Sequence, residues 1–165
     1  MRSFAEFRKA RPEYRLIVVG LRGFYTASFK KLRSSLGLTE AVRFTGWIPR
    51  AELYDLFAGA TAFMYPSTFE GFGLPVLEAL AAGIPVACSR IEPLSSVAGS
   101  AALQFDPGEA SAILEAMVRI TSDEELRAHL SAAGPIRAKE FSWEKTAQLT
   151  LDAITMSVRG REPSR

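Results

Sequence analysis

Two acids, two glycines and two prolines lie within one short stretch of this chain, and they are the residues best placed to do chemistry. In Tyr65-Pro66-Ser67-Thr68-Phe69-Glu70-Gly71-Phe72-Gly73-Leu74-Pro75-Val76-Leu77-Glu78-Ala79, seven residues separate Glu70 from Glu78. Pro66, Gly71 and Gly73 rule out regular structure over 66–73. Pro75 suits a first helical position, because its ring fixes φ near the helical value. The apolar run 76–82 continues the helix, Gly83 closes it as a left-handed stop, and Pro85 follows. A helix start turns free backbone N–H groups and a partial positive charge toward whatever fills the loop. Gly71 and Gly73 let the backbone approach that ligand closely. A nest of this kind with an acid on each side suits a ligand carrying hydroxyl donors and an anionic group, and a nucleotide sugar carries both. Taken singly, Glu70 reads equally as a solvated loop charge and Glu78 as an ordinary acid near a helix N-terminus.

The elements around this stretch alternate. An apolar run over 61–65 ends at Pro66 and reads as a strand covered on both faces. The run 15–20, Arg15-Leu16-Ile17-Val18-Val19-Gly20, is the clearest strand: continuous, β-branched and closed by glycine. Further strands are expected over 42–45, 84–88 and 101–105. Helices are expected over 1–11, 27–36, 50–58 and 109–120, with a helical turn over 93–97. Ser122 with Glu125 three residues on predicts a capping box for the next helix. Gly134-Pro135 is expected to bend or break that helix before it resumes through Phe141. Ser142 is expected to cap the last one. Strands alternating with helices predict an α/β domain, a parallel sheet with helices on both faces, over residues 1–158, with a polar tail over 159–165. Ligands of such sheets bind at the carboxyl ends of the strands. There lie Gly20-Leu21-Arg22-Gly23, Gly46-Trp47-Ile48-Pro49 and the 66–73 loop.

Composition narrows the function. The chain has 165 residues, of which 48% are hydrophobic, enough for one domain with a substantial core. A net charge of +2 argues against nucleic acid as a partner. The single cysteine, Cys88, cannot form an internal disulfide, which fits a reducing, cytoplasmic compartment. It lies in an apolar run and reads as a small buried hydrophobe. The single histidine, His129, lies in a polar helical run without metal-ligand spacing around it. No apolar run reaches membrane-span length, and no signal peptide is expected.

The stretch Glu-Gly-Phe-Gly-Leu-Pro-Val-Leu-Glu-Ala resembles the signature of the family 4 retaining glycosyltransferases of the GT-B fold. Pro66-Ser67 before it, the Glu70 to Glu78 spacing, and Gly83-Ile84-Pro85-Val86 after it all match. The resemblance extends over about residues 11–154. It implies the Rossmann-like C-terminal half of a GT-B enzyme, which moves a hexose, mannose among the candidates, from a nucleotide-diphosphate donor to a sugar or lipid-linked acceptor with retention. It implies Glu70 as the sugar-side acid that stabilises charge at the anomeric carbon, and Glu78 as the acceptor of the ribose hydroxyls. The backbone N–H groups of Phe72, Gly73 and Leu74 are implied for the sugar or the diphosphate. Gly46-Trp47-Ile48-Pro49 resembles the family's base-binding turn. Trp47 either stacks on the base or packs on a neighbouring helix. Ser67 either bonds the ligand or holds its own turn. Arg22, after Gly20, is either a phosphate ligand or a surface arginine. No metal or other cofactor is expected, since no acidic pair matches a metal site and a helix start can hold the phosphates.

In that family the acceptor lies on an N-terminal domain facing this one. The first strand of this half, and the Arg and Lys after it that clamp the diphosphate, are expected to precede Met1. Without that strand two unpaired edges are expected inside the sheet. The expected partners are therefore a nucleotide-sugar donor and an N-terminal domain supplied upstream or by another chain. Any membrane contact would rest on that half. A non-catalytic fragment that holds a nucleotide sugar or docks to a partner, and a different GT-B enzyme such as a nucleotide-sugar synthase, are the alternatives.

Overall fold

A computed structural model describes residues 1–20, 23 and 25–159. The elements run α1 (Arg2–Ala10), β1 (Leu16–Val19), α2 (Tyr25–Ser35), β2 (Val42–Gly46), α3 (Arg50–Gly59), β3 (Phe63–Tyr65), α4 (Leu74–Ala81), β4 (Val86–Ser89), α5 (Leu94–Ala98), β5 (Leu103–Phe105), α6 (Ala110–Ser122), α7 (Glu124–Ala138) and α8 (Trp143–Arg159). The expected α/β alternation holds, and every strand pair is parallel. Arg22 and residues 160–165 of the tail lie outside the described residues.

The strands form two sheets, β1-β2 and β3-β4-β5, where one continuous sheet would be the default for the fold. Among the described residues β1, β2, β3 and β5 each pair on one side only, and β4 alone pairs on both. β4 is the centre of the larger sheet and all four of its residues are buried. Its side chains alternate, as the pleat requires. Val86 and Cys88 join Val76, Leu80, Leu94 and Phe57 on one face, while Ala87 joins Phe105, Ala116, Ile120 and Leu130 on the other. Helices thus cover both faces, α3, α4 and α5 on one, and α6 with Leu130 of α7 on the other.

α6 also serves the smaller sheet. Leu114, Met117 and Val118 pack with Phe4, Phe7, Val42, Leu16 and Val18, and the Ser3 hydroxyl of α1 donates to the Ala110 carbonyl at 3.1 Å. Both sheets therefore rest on one helix. β1 forms where expected, and its two faces differ: Ile17 is 41% and Val19 39% exposed. Leu16 and Val18 face α1 and α6, and Ile17 and Val19 face the opposite, more exposed side.

Two helix boundaries differ from expectation. Asp123, not Ser122, caps α7, its Oδ1 accepting from the Leu126 N–H at 2.8 Å. Ser122 is spent inside α6, donating back to the Val118 carbonyl at 2.7 Å. α7 runs unbroken through Gly134 and Pro135. There the glycine serves packing: a Cβ at 134 would stand 2.8 Å from the Leu80 carbonyl oxygen, so α4 and α7 cross in close contact. Ser142 does cap α8, accepting from the Lys145 N–H at 3.1 Å. Cys88 is fully buried, and burial pushes its thiol up to about 11, as expected of an inert packing residue. His129 is exposed on α7.

Candidate functional site

The candidate residues gather at the carboxyl ends of the parallel strands. β1 and β2 end on Gly20 and Gly46, which have φ of 80° and 69°. Side chains rarely adopt that region, and glycine enters it freely. The Gly20 N–H donates to the Gly46 carbonyl at 2.7 Å, closing the two strand ends together. The register slips between Val18 and Val19 so that Val19 faces Gly46. The bulge re-aims the turn that carries Trp47 and Ile48. Trp47 is 64% exposed and Ile48 is half-buried.

β3 delivers the loop between the acids. Tyr65, its last residue, donates its hydroxyl to Glu70 Oε1 at 2.7 Å. Burial first, and the bond to Glu70 second, raise the Tyr65 phenol well above its ordinary range, so it stays a donor. Ser89, fully buried at the end of β4, donates to the Tyr65 carbonyl at 3.3 Å and fixes the strand end from below. The Ser67 hydroxyl donates to the Phe69 carbonyl at 2.9 Å and so holds its own turn. Phe69 is 86% exposed, Leu74 is 48% exposed, and Phe72 meets Phe141 edge to face at 5.9 Å.

Gly73 is the N-cap of α4, with φ of 96°. Pro75 falls at the second helical position, one later than its usual preference, and has no N–H. The N–H groups of Val76 and Leu77 both turn back to the Gly73 carbonyl. What the helix start offers a ligand is therefore the backbone of Gly71, Phe72, Gly73 and Leu74. The two glycines differ in kind. A Cβ on Gly71 meets nothing within 4 Å, whereas one on Gly73 would stand 2.2 Å from Leu94 Cδ2.

Glu78 lies one turn into α4 and accepts from Arg50 Nη2 at 2.8 Å. Arg50 Nε donates to the Tyr54 hydroxyl at 2.9 Å. That hydroxyl first, and the Glu78 charge after it, raise the Arg50 guanidinium above its ordinary value. Arg50 opens α3 directly after the Gly46-Trp47-Ile48-Pro49 turn, so this pair ties the turn to the second acid. The acids are thus held separately, Glu70 by Tyr65 and Glu78 by Arg50, and both remain part-exposed. Sequence reasoning missed Tyr65, Ser89 and Arg50. Tyr65 stands in the singled-out stretch, but only the fold aims its ring at Glu70. Among the described residues no cluster of three or more His, Cys, Asp or Glu could hold a metal ion.

Residues 1–137 match the family described as Glycosyl transferases group 1. The chain belongs to that family. It is 37% identical over 148 residues to O-antigen chain mannosyltransferase B of Escherichia coli, covering 90% of this chain and 39% of the relative. The chain superposes on sucrose-phosphate synthase of Thermosynechococcus elongatus with a TM-score of 0.80 and 25% identity, over 97% of this chain and 42% of that one. It also superposes on the C-terminal domain of the group 1 glycosyl transferase LpcC of Francisella tularensis, with a TM-score of 0.71 and 23% identity, over 84% and 77% of the two chains. The chain therefore corresponds to the C-terminal, Rossmann-like domain of the GT-B architecture. It spans well under half the length of its mannosyltransferase relative. No described helix is long and apolar enough to cross a membrane.

Proposed function

We propose that this domain holds the nucleotide-diphosphate sugar in a hexosyl transfer that retains anomeric configuration, with mannose the favoured sugar. The mannosyltransferase relative supports the choice of sugar. In this reading Glu78 accepts the ribose hydroxyls, and the Gly46-Trp47-Ile48-Pro49 turn meets the base. The backbone N–H groups of Phe72, Gly73 and Leu74 hold the sugar or the diphosphate at the positive end of α4. Glu70 faces the anomeric carbon, where positive charge develops as the diphosphate departs, and a carboxylate fixed by Tyr65 meets that charge without reorganising. We assign no resident metal to this reading.

The observation that carries it is the Arg50–Glu78 pair, which sets a carboxylate against the turn that would receive the base. An N-terminal domain, upstream or on another chain, supplies the acceptor in this reading, and the reaction takes place in the cytoplasm. The unpaired edges of β1 and β3 suit an added parallel strand. α8 suits docking to such a domain: Trp143, Leu151 and Ile154 are 76%, 58% and 57% exposed. Those same features favour, as a second reading, a docking module that binds the donor without turnover.

Glu78→Ala is expected to weaken GDP or UDP binding by about 1.5–3 kcal/mol, the scale of a charge-assisted hydrogen bond. Calorimetry on this chain measures it. Unchanged affinity rejects the ribose role.

A further inference from the structure

We propose that Arg50 is a positioning residue for ribose recognition: it holds one oxygen of the Glu78 carboxylate so that the other stays turned out to accept the ribose hydroxyls. The inference rests on the reading of Glu78 as the ribose acceptor and adds a residue to it.

The contact is single-pronged. Arg50 Nη2 meets Oε1 of Glu78 at 2.8 Å, and no bond to Oε2 accompanies it. An arginine free to choose forms two parallel bonds to a carboxylate. Here the side-on fork through Nε and Nη2 is closed, because Nε is taken by the Tyr54 hydroxyl at 2.9 Å, and the guanidinium also lies over the Tyr54 ring at 5.6 Å. Tyr54 lies one turn further along α3, so the brace is built into a single helix. The Glu78 side chain is 30% exposed and that of Arg50 is 69% exposed. An exposed pair of this kind adds little to fold stability. Its effect falls on geometry: a glutamate with three rotatable bonds is confined to one arrangement before the ligand arrives, which removes an ordering cost from binding.

Two other roles for Arg50 give different signatures. A phosphate contact would act on every nucleotide, whatever its sugar. A competitor for Glu78 would weaken ribose binding, so its removal would tighten it.

The test is calorimetry on the whole chain with GDP and UDP and with their 2′,3′-dideoxy forms. Arg50→Ala is expected to weaken the ribonucleotides about fivefold, near the upper range for an exposed ion pair, and to leave the dideoxy forms unchanged. In the Glu78→Ala background, Arg50→Ala is expected to add no further loss. Equal loss for both kinds of nucleotide, no loss, or tighter ribonucleotide binding overturns the assignment of Arg50. If the unsubstituted chain does not distinguish the two kinds, or Glu78→Ala still does, the ribose role of Glu78 fails and the inference goes with it.

Discussion

Replacing Glu70 by Gln in the intact enzyme is expected to lower kcat about 100-fold while leaving the affinity for nucleoside diphosphate within about twofold. The magnitude is that of removing one preorganised group opposite a developing charge. The asymmetry follows from placement. Glu70 leaves the strand end on the loop, bonded to Tyr65, whereas the proposed nucleotide contacts lie at Glu78 and the β2–α3 turn. Gln keeps a carbonyl oxygen for the Tyr65 hydroxyl and loses the charge, so the substitution separates electrostatics from loop structure. Steady-state kinetics with the nucleotide sugar, beside calorimetry with the nucleotide alone, distinguish the two effects. Equal losses in both would reject the sugar-side assignment.

Gly73→Ala is expected to destabilise the domain by about 3 kcal/mol or more, and Gly71→Ala by less than about 1 kcal/mol. At Gly73 two penalties combine. Alanine is strained at φ of 96°, and its methyl would enter the space of Leu94, 2.2 Å from Cδ2. Leu94 is fully buried, so moving its Cδ2 aside disturbs the core packed around it. At Gly71 there is open space and no left-handed backbone. Urea denaturation of both variants measures the difference through the midpoint at constant slope. Comparable losses would show that the helix start tolerates a shift of Leu94.

What the sequence made legible was local. Gly83 ends α4 with φ of 74°, and its N–H donates to the Leu80 carbonyl, as a glycine before Ile-Pro suggests. The apolar run of β4, the caps at Ser142 and the extent of α3 follow from residues in contact along the chain. The division into two sheets follows from no local pattern, because strand pairing is decided between distant segments; the resemblance alone raised it, through the strand expected before Met1. The exposure of Ile17 and Val19 depends on what packs over that face, and a β-branched run looks the same in either setting. Gly134-Pro135 reads as a break, yet it sits where α7 must come within van der Waals reach of the Leu80 backbone. At the site, the spacing of Glu70 and Glu78 is a local pattern and was readable. Arg50 stands 28 positions before Glu78, and nothing in either segment announces the pairing. Ser122 and Asp123 are adjacent and chemically equivalent as caps, so the choice fell to which one the preceding helix consumed.

Because β1-β2 and β3-β4-β5 share no backbone ladder, their amide protons need not be released in the same event. The smaller sheet has two strands and one more exposed face, while β4 is enclosed on both sides. Hydrogen–deuterium exchange is expected to report two tiers of protection, with Val18 and Thr45 amides exchanging through a partial opening that leaves Val86 to Cys88 closed. A ligand bridging α3 and α4 would slow the second tier. A strand inserted along β1 and β3 would merge the two into one.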